Sequence, residues 1–287
     1  MEVMTASSKI TAIIVVYNKE LDESSVCLRI KKFADVIVID NSTKKNKNEL
    51  FCKDHDISYI SMMGNKGLSR AYNAAIDEIV DTDAIVIVDD DTDVPNEYFE
   101  VLSNDLQNHP DVDIFAPIIR GQDGVIYSPN NYRFIKNDLV RNPVNEVQQD
   151  RFNAISSCMA IRKRVFDDFR YNEKLFVDEI DHCFCRIQRE KGRKFKVLNI
   201  EISQNFHQRN NNISSETAWN RVRIRVIDIF RHARLIGKEK LIFQAFIKCC
   251  GIGLQTGKKS KSAFVSIKII GLSFKMLLES ENNRKNE

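Results

Sequence analysis

The feature that most constrains the fold is an alternation, in the first half of the chain, of short β-branched apolar runs with segments of helical periodicity. Strands are predicted at residues 10–17, 36–39, 57–61, 84–88 and 112–116. Helices are predicted at residues 67–80 and 96–108, where apolar side chains recur every three or four positions. Strands and helices that alternate in this way favour an α/β fold with a mostly parallel central sheet flanked by helices.

The second half of the chain predicts a different organisation. Residues 117–150 are rich in Asn, Pro, Gly and Asp and predict loops, and the segment 175–181 is expected to open a helix that ends near Gly192. Beyond Ser214 the pattern is helical, with helices predicted at 219–235, 239–250 and 263–278 and a Gly-, Lys- and Ser-rich linker at 255–262. We therefore predict a sheet domain at residues 1–212 and a C-terminal helical extension at residues 213–287.

The amino-acid composition limits the cellular compartment and the classes of binding partner to be expected. The 287 residues are 43% hydrophobic and 29% charged, as is common in soluble globular proteins. The net charge of +3 is small, and the basic residues are not interleaved with aromatic ones, so we expect no nucleic-acid partner. Seven cysteines without paired CxxC spacing predict reduced thiols. No apolar run has the length of a membrane span, so a cytoplasmic protein is expected.

Three consecutive aspartates, Asp89, Asp90 and Asp91, directly follow the predicted strand at residues 84–88. Side chains alternate along a strand, so Asp89 and Asp91 can point to one side while Asp90 points away. Two carboxylates with open coordination positions suit Mg²⁺ or Mn²⁺ bound together with a substrate diphosphate. The alternative interpretation is a solvated acidic turn.

The first two predicted strands of this half also end in polar clusters. Tyr17 and Asn18 follow the first strand, and Asp40 begins an Asp-Asn-Ser-Thr cluster after the second. Because the carboxyl ends of parallel strands meet at one edge of a sheet, these clusters predict a single crevice. A carboxylate such as Asp40 can accept hydrogen bonds from a nucleobase or a ribose, although an Asp-Asn pair also starts ordinary turns.

The segment Gly-Asn-Lys-Gly at residues 64–67 precedes a predicted helix, an arrangement that favours phosphate binding. It lacks the spacing of a Walker A loop, and the glycines alone could serve a tight turn.

A family resemblance is carried by four motifs in order along the chain. They are Val-Val-Tyr-Asn at 15–18, Ile-Asp-Asn-Ser at 39–42, Asn-Lys-Gly-Leu-Ser-Arg-Ala-Tyr-Asn at 65–73 and Val-Asp-Asp-Asp-Thr at 88–92. Agreement continues through Ser-Ser-Cys-Met at 156–159, the segment 175–181 and His207. Over roughly residues 9–235 the chain resembles the nucleotide-sugar glycosyltransferases of family 2, which have the GT-A fold, and within them the rhamnosyltransferase-like branch.

The resemblance implies a function and a set of partners. It implies inverting, metal-dependent transfer of rhamnose or another hexose from a UDP- or dTDP-linked sugar to a glycan acceptor. Within the family that acceptor is often polyprenyl-linked, which would place a cytoplasmic enzyme at the inner face of the cell membrane during surface polysaccharide synthesis. The implied cofactor is Mn²⁺ or Mg²⁺, and an oligomeric assembly is left open.

The resemblance also assigns roles to residues of the crevice. Asp40 would read the base or ribose, Tyr17, Asn18 and Asp90 would belong to the same nucleotide-sugar site, and Asn65 and Gly67 would shape it. Asp89 and Asp91 would hold the metal. His207 would close the metal site from the C-terminal side, unless it is a surface histidine.

The general base is expected in the segment Asp-Glu-Ile-Asp at residues 178–181. Inverting transfer needs a carboxylate that takes the proton of the acceptor hydroxyl. The order of the acidic residues departs from the family pattern, so the position of the base is open among Asp178, Glu179 and Asp181. Asp178 is the first choice, Glu179 the second, and Asp181 is expected to orient the helix. A second departure is Ser157-Cys158 in place of the usual Ser-Gly pair.

Other classes of function are left open by the residues themselves. A DxD-type phosphotransferase or hydrolase also places two aspartates after a strand, and a non-catalytic nucleotide- or sugar-binding module would need the same crevice. Lys261, Lys268 and Lys275 recur every seven residues among apolar side chains near the C-terminus. This pattern is typical either of a helix lying on an anionic membrane or of a helix packed against the sheet domain.

Overall fold

The computed structural model describes residues 8–205 and 214–284. Its main sheet has eight strands, in the order β10-β5-β9-β4-β1-β2-β3, with β6 paired to β5 outside this path. The strands of this sheet are β1 (Ile10–Val16), β2 (Asp35–Asp40), β3 (Ser58–Ser61), β4 (Ala84–Asp89), β5 (Ile114–Gly121), β6 (Ile126–Ser128), β9 (Met159–Arg162) and β10 (Phe195–Gln204). A small second sheet pairs β7 (Asn130–Asn131) with β8 (Phe152–Asn153).

The predicted mostly parallel sheet is confirmed. Strands β1 to β4 pair in parallel, as do β5 and β10, whereas β9 runs antiparallel between β4 and β5. The helices of this part are α1 (Val26–Ile30), α2 (Asn48–Asp54), α3 (Leu68–Glu78), α4 (Glu97–Asn108), α5 (Pro143–Glu146) and α6 (Ile180–Glu190). The GT-A arrangement expected for this half of the chain is therefore present.

The central strands are buried on both faces. Ile14 and Val86 point into one apolar core that includes Leu102 of α4. Ile13 belongs to the opposite core, which includes Phe184 of α6. Because both faces are covered, these strands are continuous apolar runs rather than alternating ones.

Three long helices follow the sheet: α7 (Ser215–Ile236), α8 (Glu239–Lys259) and α9 (Ala263–Arg284). They share a third apolar core, to which Phe230, Ala245 and Ile269 contribute fully buried side chains. The predicted boundary between residues 212 and 213 lies outside the described residues. Among the described residues, no helix combines the length and the apolarity that a membrane crossing requires.

The predicted linker at residues 255–262 is largely wrong, because α8 continues through it to Lys259. The glycines serve helix packing here: a Cβ atom on Gly257 would lie 1.8 Å from the Oγ of Ser266 on α9. Glycine therefore lets the two helix backbones approach, and contact with α9 outweighs its low helix propensity.

The structure departs from the sequence expectations at two further places. Strand β10 is absent from those expectations: its buried positions do not alternate, and a register shift interrupts its pairing with β5. Helix α6 begins at Ile180 and not near residue 175. The backbone before it is held instead by Asp228 of α7, which accepts hydrogen bonds from the N–H groups of residues 176–178.

Candidate active site

The carboxyl ends of three neighbouring strands form the edge of the sheet at which the predicted site residues meet. Val16 of β1 pairs with Asp40 of β2 on one side, and Val15 of β1 pairs with Asp89 of β4 on the other. Asp40 and Asp89 therefore straddle the end of β1, as expected for a crevice at the carboxyl ends of parallel strands.

Asp40 is 3% exposed and lies at an open cavity of about 340 Å³. Its Oδ2 accepts hydrogen bonds from Asn46 (2.9 Å), Asn48 (3.0 Å) and the hydroxyl of Tyr59 (3.1 Å), and its Oδ1 accepts one from the N–H of Ser42 (2.9 Å). Burial alone would raise the pKa of Asp40, but these hydrogen bonds outweigh it and lower the pKa. The carboxylate is therefore ionised, with Oδ1 the less heavily used oxygen.

The loop after β2 completes this cavity and is positioned by Asn18. The side-chain oxygen of Asn18 accepts hydrogen bonds from the backbone N–H groups of Thr43 (2.9 Å) and Lys44 (3.1 Å). Asn18 itself has a φ of 51°, a left-handed conformation that asparagine tolerates better than most residues. Its neighbour Tyr17 is 51% exposed. Asn18 thus fixes the cavity wall, and Tyr17 presents its ring to solvent.

The loop at residues 64–67 is tied to the same edge. Asn41 donates from its side chain to Oδ1 of Asn65 (3.2 Å) and accepts from the N–H of Lys66 (2.8 Å). Gly67 has a φ of 87°, and a Cβ atom there would lie 2.7 Å from both the ring and the carbonyl oxygen of Phe176. Gly67 is therefore required by its backbone conformation and by a close approach to the segment before α6.

The DxD segment lies at the end of β4. Asp89 is half-buried and accepts a hydrogen bond from the side chain of Gln204 (2.8 Å), whereas Asp91 is exposed. Burial, and after it the charge of Asp91, raises the pKa of Asp89 from 3.8 to about 6. Asp90 is turned toward Lys19, whose ammonium lies 3.7 Å from its carboxylate. Asp90 thus forms a separate ion pair, and it lies with Asp91 in the turn that follows β4, beyond the strand along which side chains alternate.

The chemistry of this pair of carboxylates fits a divalent cation. Asp89 and Asp91 supply hard oxygen donors, and a positive ion would offset both the burial of the Asp89 carboxylate and its repulsion by Asp91. Within residues 8–205 and 214–284, no group of three or more His, Cys, Asp or Glu side chains is arranged to hold a metal. A cation at Asp89 and Asp91 would therefore need oxygen donors from a substrate or water. His207 lies outside the described residues.

Residues 157 and 158 pack next to the DxD segment. The hydroxyls of Thr92 and Ser157, both 1% exposed, lie 3.2 Å apart. Cys158 has a φ of 54° and is held at both backbone groups: its N–H donates to Ile87 (2.7 Å) and its carbonyl accepts from Tyr98 (2.7 Å). Cys158 thus adopts a left-handed conformation that a glycine would take without strain.

The three carboxylates before and within α6 occupy different surroundings. Asp178 forms an ion pair with Arg221 of α7 and lies 3.8 Å from Arg225. Asp181 is half-buried in the first turn of α6, and the N–H of His182 donates to it (2.8 Å). Burial, and after it the charges of Asp89 and Asp181, raises the pKa of Tyr72 well above its usual value. The DxD segment and the start of α6 therefore approach the same tyrosine.

Glu179 turns away from this tyrosine, into the C-terminal helices. It has a φ of 63°, and its side chain is 4% exposed between the ammonium of Lys248 (2.8 Å) and Nδ1 of His232 (2.9 Å). Burial alone would raise the pKa of Glu179, but Lys248 and His232 outweigh it and hold the pKa well below its usual value. Glu179 is thus a buried anion that links α6 to α7 and α8.

Several residues that build the site were not found from the sequence. Asn46 and Asn48 stand in the polar run after Asp40, and their proximity to that residue was the one available signal. Gln204 and Asp228 had no signal, because each contacts the site across a long stretch of chain. Asp228 is fully buried, and its carboxylate accepts the backbone N–H groups of residues 176–178 at 2.9–3.1 Å.

Comparison with known proteins identifies the family. Residues 11–170, more than half of the chain, match the family model described as Glycosyl transferase family 2. The chain belongs to glycosyl transferase family 2.

Two curated relatives carry activities in their names. The low-salt glycan biosynthesis hexosyltransferase Agl10 of Haloferax volcanii is 26% identical over 212 residues, which cover 70% of this chain and 66% of that protein. The dTDP-rhamnosyl transferase RfbF of Shigella flexneri is 28% identical over 188 residues, which cover 62% of each. The matched region thus spans slightly less than two thirds of either relative.

Solved structures support the GT-A fold. GalNAc-T7, crystallised with UDP, GalNAc and Mn²⁺, aligns with a TM-score of 0.55 at 15% identity over 76% of this chain and 48% of that one. Residues 1–349 of TarS from S. aureus, in complex with UDP-GlcNAc, align with a TM-score of 0.51 at 12% identity over 96% and 92% of the two chains. At such low identity these likenesses concern the fold alone.

Proposed function

We propose that this chain is an inverting, metal-dependent hexosyltransferase that uses a UDP- or dTDP-linked sugar. The observation that carries the proposal is the placement of Asp40 and Asp89 on either side of the end of β1, in a chain of glycosyl transferase family 2. One carboxylate lies at a cavity of about 340 Å³ and the other in the DxD segment. A nucleoside at Asp40 would thus extend its diphosphate toward Asp89.

The donor would be recognised by Asp40 and by the loop that follows β2. Asn46, Asn48 and Tyr59 all donate to Oδ2 of Asp40, so Oδ1, which Ser42 contacts, is the oxygen that would accept a hydrogen bond from the nucleoside. The imino N–H of uracil or thymine and the hydroxyls of a ribose are such donors. The names of two similar proteins, which include a dTDP-rhamnosyl transferase and a complex with UDP-GlcNAc, support a pyrimidine nucleotide.

Asp89 and Asp91 would hold Mn²⁺ or Mg²⁺. When bound, the cation supplies neutralisation of the charge that builds up on the departing diphosphate. His207, which is outside the described residues, stays a candidate for the same site.

We favour Asp181 as the general base, in place of the first choice made from the sequence. Asp178 is engaged by Arg221, and Glu179 is enclosed by Lys248 and His232. Asp181 has neither a lysine nor an arginine partner among the described residues, and it shares Tyr72 as a neighbour with Asp89. It would take the proton of the acceptor hydroxyl while that oxygen bonds to the anomeric carbon and the bond to the diphosphate breaks.

The acceptor is proposed to be a polyprenyl-linked glycan of a surface polysaccharide, presented at the cytoplasmic face of a membrane. The similarity to a glycan biosynthesis hexosyltransferase of Haloferax volcanii supports a glycan as the acceptor. The transfer would then take place at the cytoplasmic surface of that membrane.

The test begins with donor binding and turnover by the purified chain. Calorimetric titration with UDP, dTDP and GDP, with Mn²⁺ and with a chelator, is expected to show metal-dependent binding of a uridine or thymidine nucleotide. Release of nucleoside diphosphate from the matching sugar donor should then require a glycan acceptor. Binding without turnover would favour a non-catalytic module, and release of free sugar at the same rate without acceptor would favour a hydrolase.

Three asparagine variants then separate the roles of the carboxylates. Asp181→Asn is expected to lower kcat by about 10²–10⁴-fold without weakening donor binding, the range for loss of general acid–base catalysis. Asp178→Asn should retain more activity, because that residue would act through Arg221. The control is Asp93→Asn. Asp93 is an exposed aspartate two residues after the DxD segment, and it pairs with Arg29. Full activity of Asp181→Asn would refute its role as the base.

A further inference from the structure

The C-terminal hairpin of α8 and α9 has an outer apolar face that the protein's own core does not use. The face consists of Phe243, Ile247 and Leu254 on α8 and Phe264, Ile267 and Phe274 on α9, and is called the hairpin face below. These six side chains are between 46% and 66% exposed. They recur at helical spacing, so they form one stripe on each helix.

The opposite sides of both helices are already buried. Ala245 and Cys249 of α8 and Ile269 of α9 are fully buried in the core shared with α7. The hairpin face is therefore a second apolar surface of the same two helices, and the folding of the bundle does not cover it.

The two stripes join into one continuous patch. The ring centroid of Phe246 lies 6.5 Å from that of Phe243 on the same helix and 6.5 Å from that of Phe274 on α9. The helices are also packed closely, because Gly253 and Gly257 let α9 approach the backbone of α8. An α8 of 21 residues is about 30 Å long, so the hairpin presents a broad and rigid apolar surface.

The charge of the hairpin is predominantly positive. Residues 239–279 contain seven lysines but only two glutamates, with no aspartate or arginine. Lys240 and Lys258 stand at the two ends of the α8 stripe and are exposed, and the side chain of Lys275 beside the α9 stripe is 72% exposed. Lysines that border an apolar stripe match a surface of acyl chains below anionic headgroups.

The same charge disfavours a second copy of the chain as the occupant. Two hairpin faces in contact would bring together an excess of lysines, because Glu239 and Glu279 are the two acidic residues of this segment and Lys275 already lies 3.8 Å from Glu279. An excess of like charge opposes association. We propose that the hairpin face docks on an anionic lipid bilayer, with its phenylalanines among the acyl chains and its lysines at the headgroups.

Docking would also bring the candidate active site to the lipid surface. Helix α8 presents Phe243 and Ile247 outward and Lys248 inward, where the ammonium contacts Glu179 next to α6. A lipid-linked acceptor would thus meet a site fixed to the membrane-bound helix. That consequence rests on the proposed function, whereas the docking of the hairpin face does not.

The first experiment is co-sedimentation of the full chain with vesicles of phosphatidylcholine alone or mixed with phosphatidylglycerol. Binding to the mixed vesicles is expected, weakened by salt as for any contact with an electrostatic part. Phe243→Ser/Phe274→Ser should lower the partition coefficient by about tenfold or more, because two large apolar side chains no longer enter the bilayer. Lys258→Gln/Lys275→Gln should weaken binding to the mixed vesicles alone.

The matched control is Leu50→Ser/Val80→Ser, which removes apolar side chains that are 57% and 88% exposed elsewhere on the protein. It should bind as the unmodified chain does, and circular dichroism should show that all variants are folded. If the unmodified chain binds neither kind of vesicle, the proposal is overturned. So would a wild-type dimer in light scattering that the two phenylalanine substitutions dissociate. If vesicle binding persists but no nucleotide-sugar is used, the proposed function fails and the docking surface stands.

Discussion

Replacement of Lys248 by methionine is expected to destabilise the protein by about 3–5 kcal/mol, the range for removing one partner of a buried ion pair. Lys248 and Glu179 have side chains that are 14% and 4% exposed, and the ammonium lies 2.8 Å from the carboxylate. Methionine keeps most of the volume of the lysine side chain, so little of the loss would come from packing. What remains is the cost of a buried carboxylate whose nearest partner is His232, at 2.9 Å.

The stability lost in Lys248→Met should depend on pH, because a protonated His232 can compensate part of the charge of Glu179 that Lys248 compensates in the unmodified protein. Burial lowers the pKa of His232 in the unmodified protein. Without Lys248, Glu179 still raises the pKa of the histidine, opposed by burial and by the nearby His182, and the lowering by the lysine charge is gone. A histidine with a raised folded pKa contributes stability at low pH and loses it as the pH rises through that pKa. The destabilisation by Lys248→Met should therefore be smaller below the usual histidine pKa of about 6.5 than above it.

Denaturant unfolding at several pH values measures this loss of stability, with two signals that report on different parts of the molecule. Trp219 is the only tryptophan and lies on α7, so its fluorescence follows the C-terminal helices, and circular dichroism follows the whole chain. The companion variant Glu179→Gln/Lys248→Met removes both charges of this pair and should regain most of the lost stability.

Two results would refute this reasoning. A loss of less than about 1 kcal/mol for Lys248→Met would mean that the pair behaves like an exposed salt bridge. A double variant as unstable as the sum of its single variants would mean that the two side chains are not coupled.

The remaining predictions concern the sheet domain. Gly67→Ala should destabilise by about 1–3 kcal/mol more than Gly64→Ala in thermal unfolding: both residues have positive φ, but only a Cβ at Gly67 meets Phe176, at 2.7 Å. Equal effects of the two would exclude the close contact as the cause. In a chelator, Asp89→Asn should gain stability over the unmodified chain as the pH rises from 4 to 7, because the folded pKa of Asp89 is raised to about 6 and ionisation then opposes folding. Parallel pH profiles of the two proteins would contradict this.

The central part of the fold could be predicted from the sequence because its signals are local. A β-branched run such as β4 has few alternatives to a strand, and parallel strands bring their carboxyl ends to one edge by geometry alone. The meeting of Asp40 and Asp89 across β1 follows from that geometry. The glycine-rich stretch of α8 and the irregular strand β10 could not be predicted in the same way. Their conformations depend on contacts with α9 and β5, which sequence neighbours do not reveal.

The residues before and within α6 show where local information ends. Asp178, Glu179 and Asp181 are acidic side chains within one short segment, and the sequence determined only that carboxylates would stand near the acceptor. The tertiary structure decided their surroundings: Arg221 contacts the first, Lys248 and His232 enclose the second, and the third keeps Tyr72 as a neighbour in common with Asp89. The physical reason is that solvation and neighbouring charge set the behaviour of a carboxylate. For Asp178 and Glu179 both come from helices 40 to 70 residues further along the chain, and for Asp181 the neighbouring tyrosine comes from α3, far earlier in the chain.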